Sequence, residues 1–125
     1  MALPAPSQAA KKLESEQILW LASIRREGHR PHLAPVWFAW HEGRIYLCID
    51  PGSVKARNLE VHPRVAIALQ DGVSPVICEG RAAAVQGDWA EEVCAIFQRK
   101  YQWDIRSDGQ YSLLVEVAPE KWLGW

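Results

Sequence analysis

From the N-terminus onward, short apolar runs alternate with turn residues, and their spacing predicts a mainly β protein. Ser7 to Glu16 carries a thin apolar face of Ala9, Ala10 and Leu13 behind Ser7, the pattern of a short helix with a serine cap. Gln17 to Arg25 contains Ile-Leu-Trp-Leu-Ala-Ser-Ile, apolar at both alternating sets of positions, as in a strand covered on two sides. After a turn at Glu27-Gly28, His32 to Trp40 reads as a second, long strand. Pro35 has no backbone donor, so that strand needs an edge or a bulge there. His41-Glu42-Gly43 turns the chain into Arg44 to Ile49, with Ile45, Leu47 and Ile49 on one face and Tyr46 and Cys48 on the other.

Asp50-Pro51-Gly52 ends this strand, and Ser53 to Val61 follows as a short helix stopped by His62-Pro63. Arg64 to Gln70 and Val76 to Val85 are the next strands, separated by Asp71-Gly72, with Gly80 allowing a bend or close approach. Asp88 and Glu91 have the spacing of a capping box, and Trp89, Val93, Ile96 or Phe97, and Tyr101 keep helical periodicity behind it. A last strand runs from Tyr111 to Val117, where Pro119 leads into the tail Lys121-Trp122-Leu123-Gly124-Trp125. Six strands with two or three short helices predict a small antiparallel β-barrel. Strands apolar on both faces leave the barrel with more outer apolar surface than one amphipathic helix covers, which predicts a homodimer.

Composition narrows the picture. The chain has 125 residues, 49% hydrophobic and 23% charged, the profile of one globular domain. Its 14 Lys+Arg and 15 Asp+Glu give a formal net charge of −1, so nucleic acid is not expected as a partner and any anion site must be local. No run approaches the roughly 18 to 20 apolar residues of a membrane span, and the N-terminus has no signal pattern. Residence in the cytoplasm away from membranes is the expectation. Cys48, Cys78 and Cys94 are odd in number and set among apolar neighbours, which reads as buried thiols rather than disulfides. The histidines His29, His32, His41 and His62 have no metal-ligand spacing. Seven Trp in so short a chain is the anomaly, since large rings serve a core, an interface or a ring-shaped ligand.

Two stretches can carry chemistry. In Asp50-Pro51-Gly52-Ser53-Val54-Lys55-Ala56-Arg57-Asn58-Leu59 a turn feeds a short helix, and Ser53, Lys55, Arg57 and Asn58 add donors to its free N–H groups. This pattern has two readings, a phosphate site or a solvated helix with Val54 and Leu59 packed inward. In Arg30 to Trp40, Pro35 frees neighbouring backbone groups for edge-on hydrogen bonds to a planar ligand. The alternative is a bulged strand with its aromatics in the core. No Ser-His-Asp, Cys-His or paired-carboxylate arrangement is evident, so no catalytic side chain is assigned.

Taken together, Pro-Val-Trp-Phe, the Glu-Gly-Arg hairpin, the Ile-Tyr-Leu strand and Gly-Ser-x-Lys-x-x-Asn-Leu followed by His-Pro-Arg-Val-Ala resemble the split-barrel flavin-binding proteins. These form the pyridoxamine 5′-phosphate oxidase-like superfamily, and the likeness is to its small flavin/deazaflavin oxidoreductase branch. The resemblance runs from about Gln17 to the C-terminus and implies a six-stranded antiparallel split β-barrel over the whole of residues 1–125. It implies a homodimer that binds FMN, or alternatively the deazaflavin coenzyme F-420, between two barrels. Ser53, Lys55 and Asn58 would hold the phosphate, and the backbone of Pro35, Val36 and Trp37 would meet the isoalloxazine edge. Ile49 and Asp50 would border the ribityl chain. Trp122 or Trp125 would reach the ring or the dimer interface, with Trp125 the candidate for the groove; sealing of the barrel end is the other reading. Basic surface for a deazaflavin's oligoglutamate tail would come from Arg25, Arg26, Arg30, Lys55 and Arg57.

The extended C-terminal substrate signature of true pyridoxamine 5′-phosphate oxidases has no counterpart, so vitamin B6 oxidation is not expected. The implied activity is a flavin-dependent oxidoreductase passing hydride to or from a small conjugated substrate. In such enzymes the cofactor carries the redox chemistry and the protein supplies binding and orientation. A non-catalytic flavin-binding or electron-transfer module is the rival from another class. A barrel stacking single-stranded nucleic acid on its aromatics is a third reading, disfavoured by the acidic balance.

Overall fold

The computed structural model describes residues 2–123. In chain order its elements are α1 (Ser7–Ser15), β1 (Leu19–Ile24), β2 (Pro31–Val36), β3 (Phe38–His41), β4 (Arg44–Ile49), α2 (Val54–Val61), β5 (Arg64–Leu69), β6 (Ile77–Ala84), α3 (Glu91–Tyr101), a 3-10 turn (Ile105–Ser107) and β7 (Leu113–Leu123). The strands form one sheet of seven in the order β2-β1-β5-β6-β7-β4-β3, every neighbour antiparallel.

The two outermost strands are consecutive in sequence. What reads as a single strand from His32 to Trp40 is divided at Trp37, its first half pairing with β1 and its second with β4. The sheet therefore curls round, and this one segment serves both of its ends. The expected six-stranded barrel is present as a curled sheet of seven strands, the extra one arising from this division. Pro35 sits opposite Trp20 on a strand paired on one side only, where a missing donor is tolerated.

Inside the curl, Leu19, Leu21, Phe38, Ile45, Leu47 and Val117 are completely buried. Leu13 of α1 packs into the same cluster. Because side chains alternate along β3, Ala39 faces the opposite way from Phe38 and meets α3, where Val93, Cys94 and Phe97 form a second cluster with Cys48, Ile105 and Leu114. All three cysteines are buried and free.

Three local expectations are corrected. Ser7 is the first residue of α1 rather than its cap; Pro6 holds that position and no side chain caps the helix. The Asp88/Glu91 capping box does not form, because α3 starts behind Ala90 and the Glu91 carboxylate meets Arg106 at 3.2 Å. Nor does Pro119 end the last strand. β7 continues to Leu123, because the register shifts between Glu79 and Gly80 and brings Pro119 opposite Gly80. A bulge of this kind accommodates a residue with no backbone donor. Lys121 to Leu123 are thus strand, and the Trp122 indole donates to the Leu3 carbonyl at 3.1 Å and packs edge-on against Trp40. Trp122 is half-buried and packs against the main core cluster. Trp125 lies outside the described residues.

Gly80 is required by close approach. A Cβ there would lie 2.6 Å from the Ala118 carbonyl oxygen and 3.0 Å from a Val117 methyl. Gly80→Ala is expected to destabilise the protein by about 1–3 kcal/mol, read as a lower denaturant midpoint at unchanged slope.

Directly paired residues share a face of a sheet. Trp20 lies between Pro35 and Ala68, with Ile77 beyond, and Ala22 lies between Leu33 and Ala66. This outer strip is apolar across β2, β1 and β5, meets Glu79 beyond Ala66 on β6, and is open, with Leu33 63% and Trp20 39% exposed. Among the described residues no helix is long and apolar enough to cross a membrane.

Candidate functional site

The start of α2 is built by side chains close in sequence. The Ser53 hydroxyl accepts from Ala56 N at 3.3 Å and donates to the Asp50 carbonyl at 2.7 Å. The Asp50 carboxylate accepts from Gly52 N at 2.8 Å, fixing the turn out of β4. Ser53 is therefore the helix cap, engaged within its own turn. One turn on, Asn58 is 2% exposed. Its amide group donates to the Ser23 hydroxyl at 3.2 Å, and its carbonyl oxygen accepts from Arg26 N at 2.9 Å. Asn58 ties α2 to β1 and the following turn.

Lys55 instead reaches a cleft of about 490 Å³. One wall is Pro35, Val36 and Trp37 at the strand division, and Cys48 and Ile49 at the end of β4 form part of another. The rest comes from the end of α3 and the segment after it, through Tyr101, Gln102, Trp103, Asp108 and Tyr111. Five residues expected at a cofactor site, Pro35, Val36, Trp37, Ile49 and Lys55, thus share one cleft. Asp50, Ser53 and Asn58 are not among the lining residues; the Asp50 carboxylate accepts from Gln110 at 3.4 Å.

The aromatic lining is ordered ring against ring. Trp37 and Tyr101 stack at 4.5 Å with 6° between planes, and Trp103 stands edge-on to Trp37 at 5.8 Å. Tyr111 is edge-on to Trp103 at 5.9 Å. The Tyr111 backbone N–H, then the Trp103 indole N–H at 2.9 Å and the Gln110 backbone N–H, hold the Asp108 carboxylate below the usual range. Trp37 is 46% and Tyr111 40% exposed, which is much apolar ring area to leave in water without a ligand or partner. Burial pushes the Cys48 thiol up to about 12, so it is an inert part of the wall. Tyr101, Trp103 and Tyr111 were not legible as site residues; the excess of Trp was the one available signal.

On the other side of α2, Arg25, Arg26, Arg30 and Arg57 surround a second cleft of about 240 Å³ with Glu27, Val54 and Asn58. Val54 and Lys55, adjacent in sequence, line one cleft each. Arg57 donates to the Gly52 carbonyl at 3.0 Å, and Arg26 meets Glu27 at 3.5 Å. His32 lies near both groups: burial, then Arg25, then Lys55 lower its pKa. Of the cationic surface expected of Arg25, Arg26, Arg30, Lys55 and Arg57, the four arginines line this cleft and Lys55 lines the aromatic one.

A curled antiparallel sheet with an aromatic cleft at a strand division and a lysine at the adjoining helix start defines a split-barrel protein. The sequence profile of the pyridoxamine 5′-phosphate oxidase family matches residues 5–125, and the chain belongs to that family. Solved structures of the same fold include HutZ, the haem storage protein of Vibrio cholerae, with 20% identity, a TM-score of 0.76 and coverage of 98% of this chain and 95% of that one. An F-420 reductase has 18% identity and a TM-score of 0.75, over 95% of this chain and 98% of the other. An FAD-binding protein from Mesorhizobium loti has 17% identity and a TM-score of 0.69, over 98% and 95%. These identities carry the fold and not the ligand. No curated protein matches the sequence.

Proposed function

We propose that this protein is a flavin-dependent oxidoreductase that binds FMN in the aromatic cleft of a homodimer and passes hydride to or from a small conjugated substrate. The observation carrying this reading is the joining, in one cleft, of ordered aromatic rings and the Lys55 ammonium at a helix start. A planar ring system matches the first, and a phosphate matches the second. Pro35, Val36 and Trp37 line the cleft and β2 is an edge strand, so backbone groups of its free edge would serve the ring. When bound, the flavin supplies the hydride chemistry. The chain's residues bind and orient it: Lys55 neutralises the phosphate, Trp37 and its neighbours cover apolar ring area, and Ile49 packs beside the intervening chain.

Structures of the same fold include a haem storage protein and an FAD-binding protein, which makes ligand choice the decisive question. Among the described residues no histidine or methionine lines the cleft, its single thiol is held protonated and the Tyr101 hydroxyl is bonded to Phe38 and Gln17, which leaves Tyr111 as the one phenol for a haem iron and favours a flavin. The arginine cleft beside Lys55 favours coenzyme F-420 as the alternative, since a ligand with anionic groups beyond its first phosphate can reach Arg25, Arg30 and Arg57. The open Trp20–Leu33 strip supports the homodimer.

Anaerobic photoreduction of the cofactor-loaded protein, followed by quinones, enones and nitroaromatics in turn, tests the activity. Reoxidation by one class faster than by oxygen is expected of the enzyme. Reoxidation by none identifies a flavin-binding or electron-transfer module instead.

A further inference from the structure

The strand division at Trp37 leaves backbone groups of Phe38 to be satisfied from outside the sheet ladder, and two consecutive residues of α3 do this. The Tyr101 hydroxyl accepts from Phe38 N at 3.1 Å and donates to the Gln17 carbonyl at 2.7 Å. The Lys100 ammonium donates to the Phe38 carbonyl at 3.0 Å and to the Glu16 carbonyl at 2.8 Å, and lies 3.9 Å from the centre of the Phe38 ring. Among the described residues no carboxylate pairs with Lys100; the Glu16 side chain turns to Lys12 at 4.0 Å. Its charged and titratable neighbours are Arg99 on the same helix and the Tyr101 ring, 5.2 Å away. Half-buried ammonium groups are ordinarily paired with an acid, so one held by carbonyls and a ring at a strand break calls for a specific role.

We propose that Lys100 is a positioning residue for the cofactor cleft: with the Tyr101 hydroxyl it holds the backbone at the Trp37–Phe38 break, and so keeps the Trp37–Tyr101 stack in the orientation that receives the ligand ring. The inference rests on the flavin reading of the cleft. Lys100 itself does not line the cleft; it acts through Phe38 and the neighbouring Tyr101. Burial, with Arg99 adding to it, lowers the Lys100 pKa to about 8. The ammonium form therefore makes the charge-assisted bonds at neutral pH, and the clamp weakens as pH rises through about 8. Global stability moves the other way. The unfolded chain holds this proton up to the ordinary lysine range, so between the folded and unfolded pKa values the Lys100 contribution to stability rises with pH.

Lys100→Met and Lys100→Arg separate positioning from simple packing. Apo protein is titrated with FMN and with coenzyme F-420 from about pH 6.5 to about pH 9.5, and near-ultraviolet circular dichroism follows the Trp37–Tyr101 stack without ligand. At neutral pH Lys100→Met is expected to weaken binding about three- to tenfold and diminish the stacking signal. The melting temperature should change little, since the variant also removes a desolvated charge. Wild-type affinity should fall above about pH 8, where Lys100→Arg, which stays charged, holds its affinity. Wild-type affinity, stacking signal and pH profile in Lys100→Met would overturn the proposal. If the wild type binds neither chromophore, the flavin reading fails; a stacking signal still unaffected by Lys100→Met would then reject the clamp as well.

Discussion

Replacing Lys55 by alanine is expected to weaken cofactor binding roughly ten- to a hundredfold while leaving the fold intact. The ammonium is the single cationic group lining the aromatic cleft, and no hydrogen bond or ion pair among the described residues engages it. Loss of a charge-assisted contact to a phosphate costs about 1.5–3 kcal/mol, which gives that range. Ser53 and Asn58 cannot readily compensate, because one caps α2 and the other is buried against Ser23 and Arg26. Calorimetric titration of FMN and coenzyme F-420 checks the effect, with the melting temperature of the apo protein as control. Undiminished affinity for both would move the phosphate away from α2. A loss for coenzyme F-420 that also follows Arg30→Ala would favour the deazaflavin.

A larger effect is expected from Leu33→Arg. Leu33, Ala22 and Ala66 form one row of the outer sheet face that ends at Glu79 on β6, beside the apolar row of Pro35, Trp20, Ala68 and Ile77. Pro35 is also part of the cleft wall, so a partner seated on this strip would adjoin the ligand. Leu33 is exposed within one chain, and arginine there leaves the isolated fold intact; in the proposed dimer it places an added charge in the interface and costs several kcal/mol. Sedimentation at low micromolar concentration should show a two-chain species for the wild type and a one-chain species for the variant. Cofactor binding should fall further than with Lys55→Ala if, as proposed, the partner completes the groove. A wild type that sediments as one chain would refute both the dimer and a site shared between copies.

The strands were legible because alternation reports burial directly, as Ile45, Leu47 and Ile49 show on β4. The division at Trp37 was not, because no residue there breaks a strand; the chain changes partner from β1 to β4, which is a tertiary event. Pro119 misled for a related reason: the residue that bulges beside it, Glu120, is left unpaired only because Glu79 and Gly80 of β6 face Lys121 and Pro119, a pairing made by residues far away in sequence. At the site, spacing identified donors at the start of α2 without showing their direction. Asn58 turns toward Ser23, 35 positions away, and only the fold decides that Lys55 alone of the expected phosphate ligands lines the cleft. Tyr101 kept the helical period of an inward face, yet it sits at the last turn of α3, where its ring stacks on Trp37 and fronts the cleft.

The visible spectrum of the protein as purified, with the mass of any chromophore released on denaturation, tests the cofactor most directly. Apo protein is supplemented with FMN or coenzyme F-420 before measurement. A flavin-type spectrum and the mass of FMN, or of the deazaflavin, is the result expected from the Trp37 cleft and Lys55. A haem spectrum, or protein that neither carries nor takes up either chromophore, would contradict it.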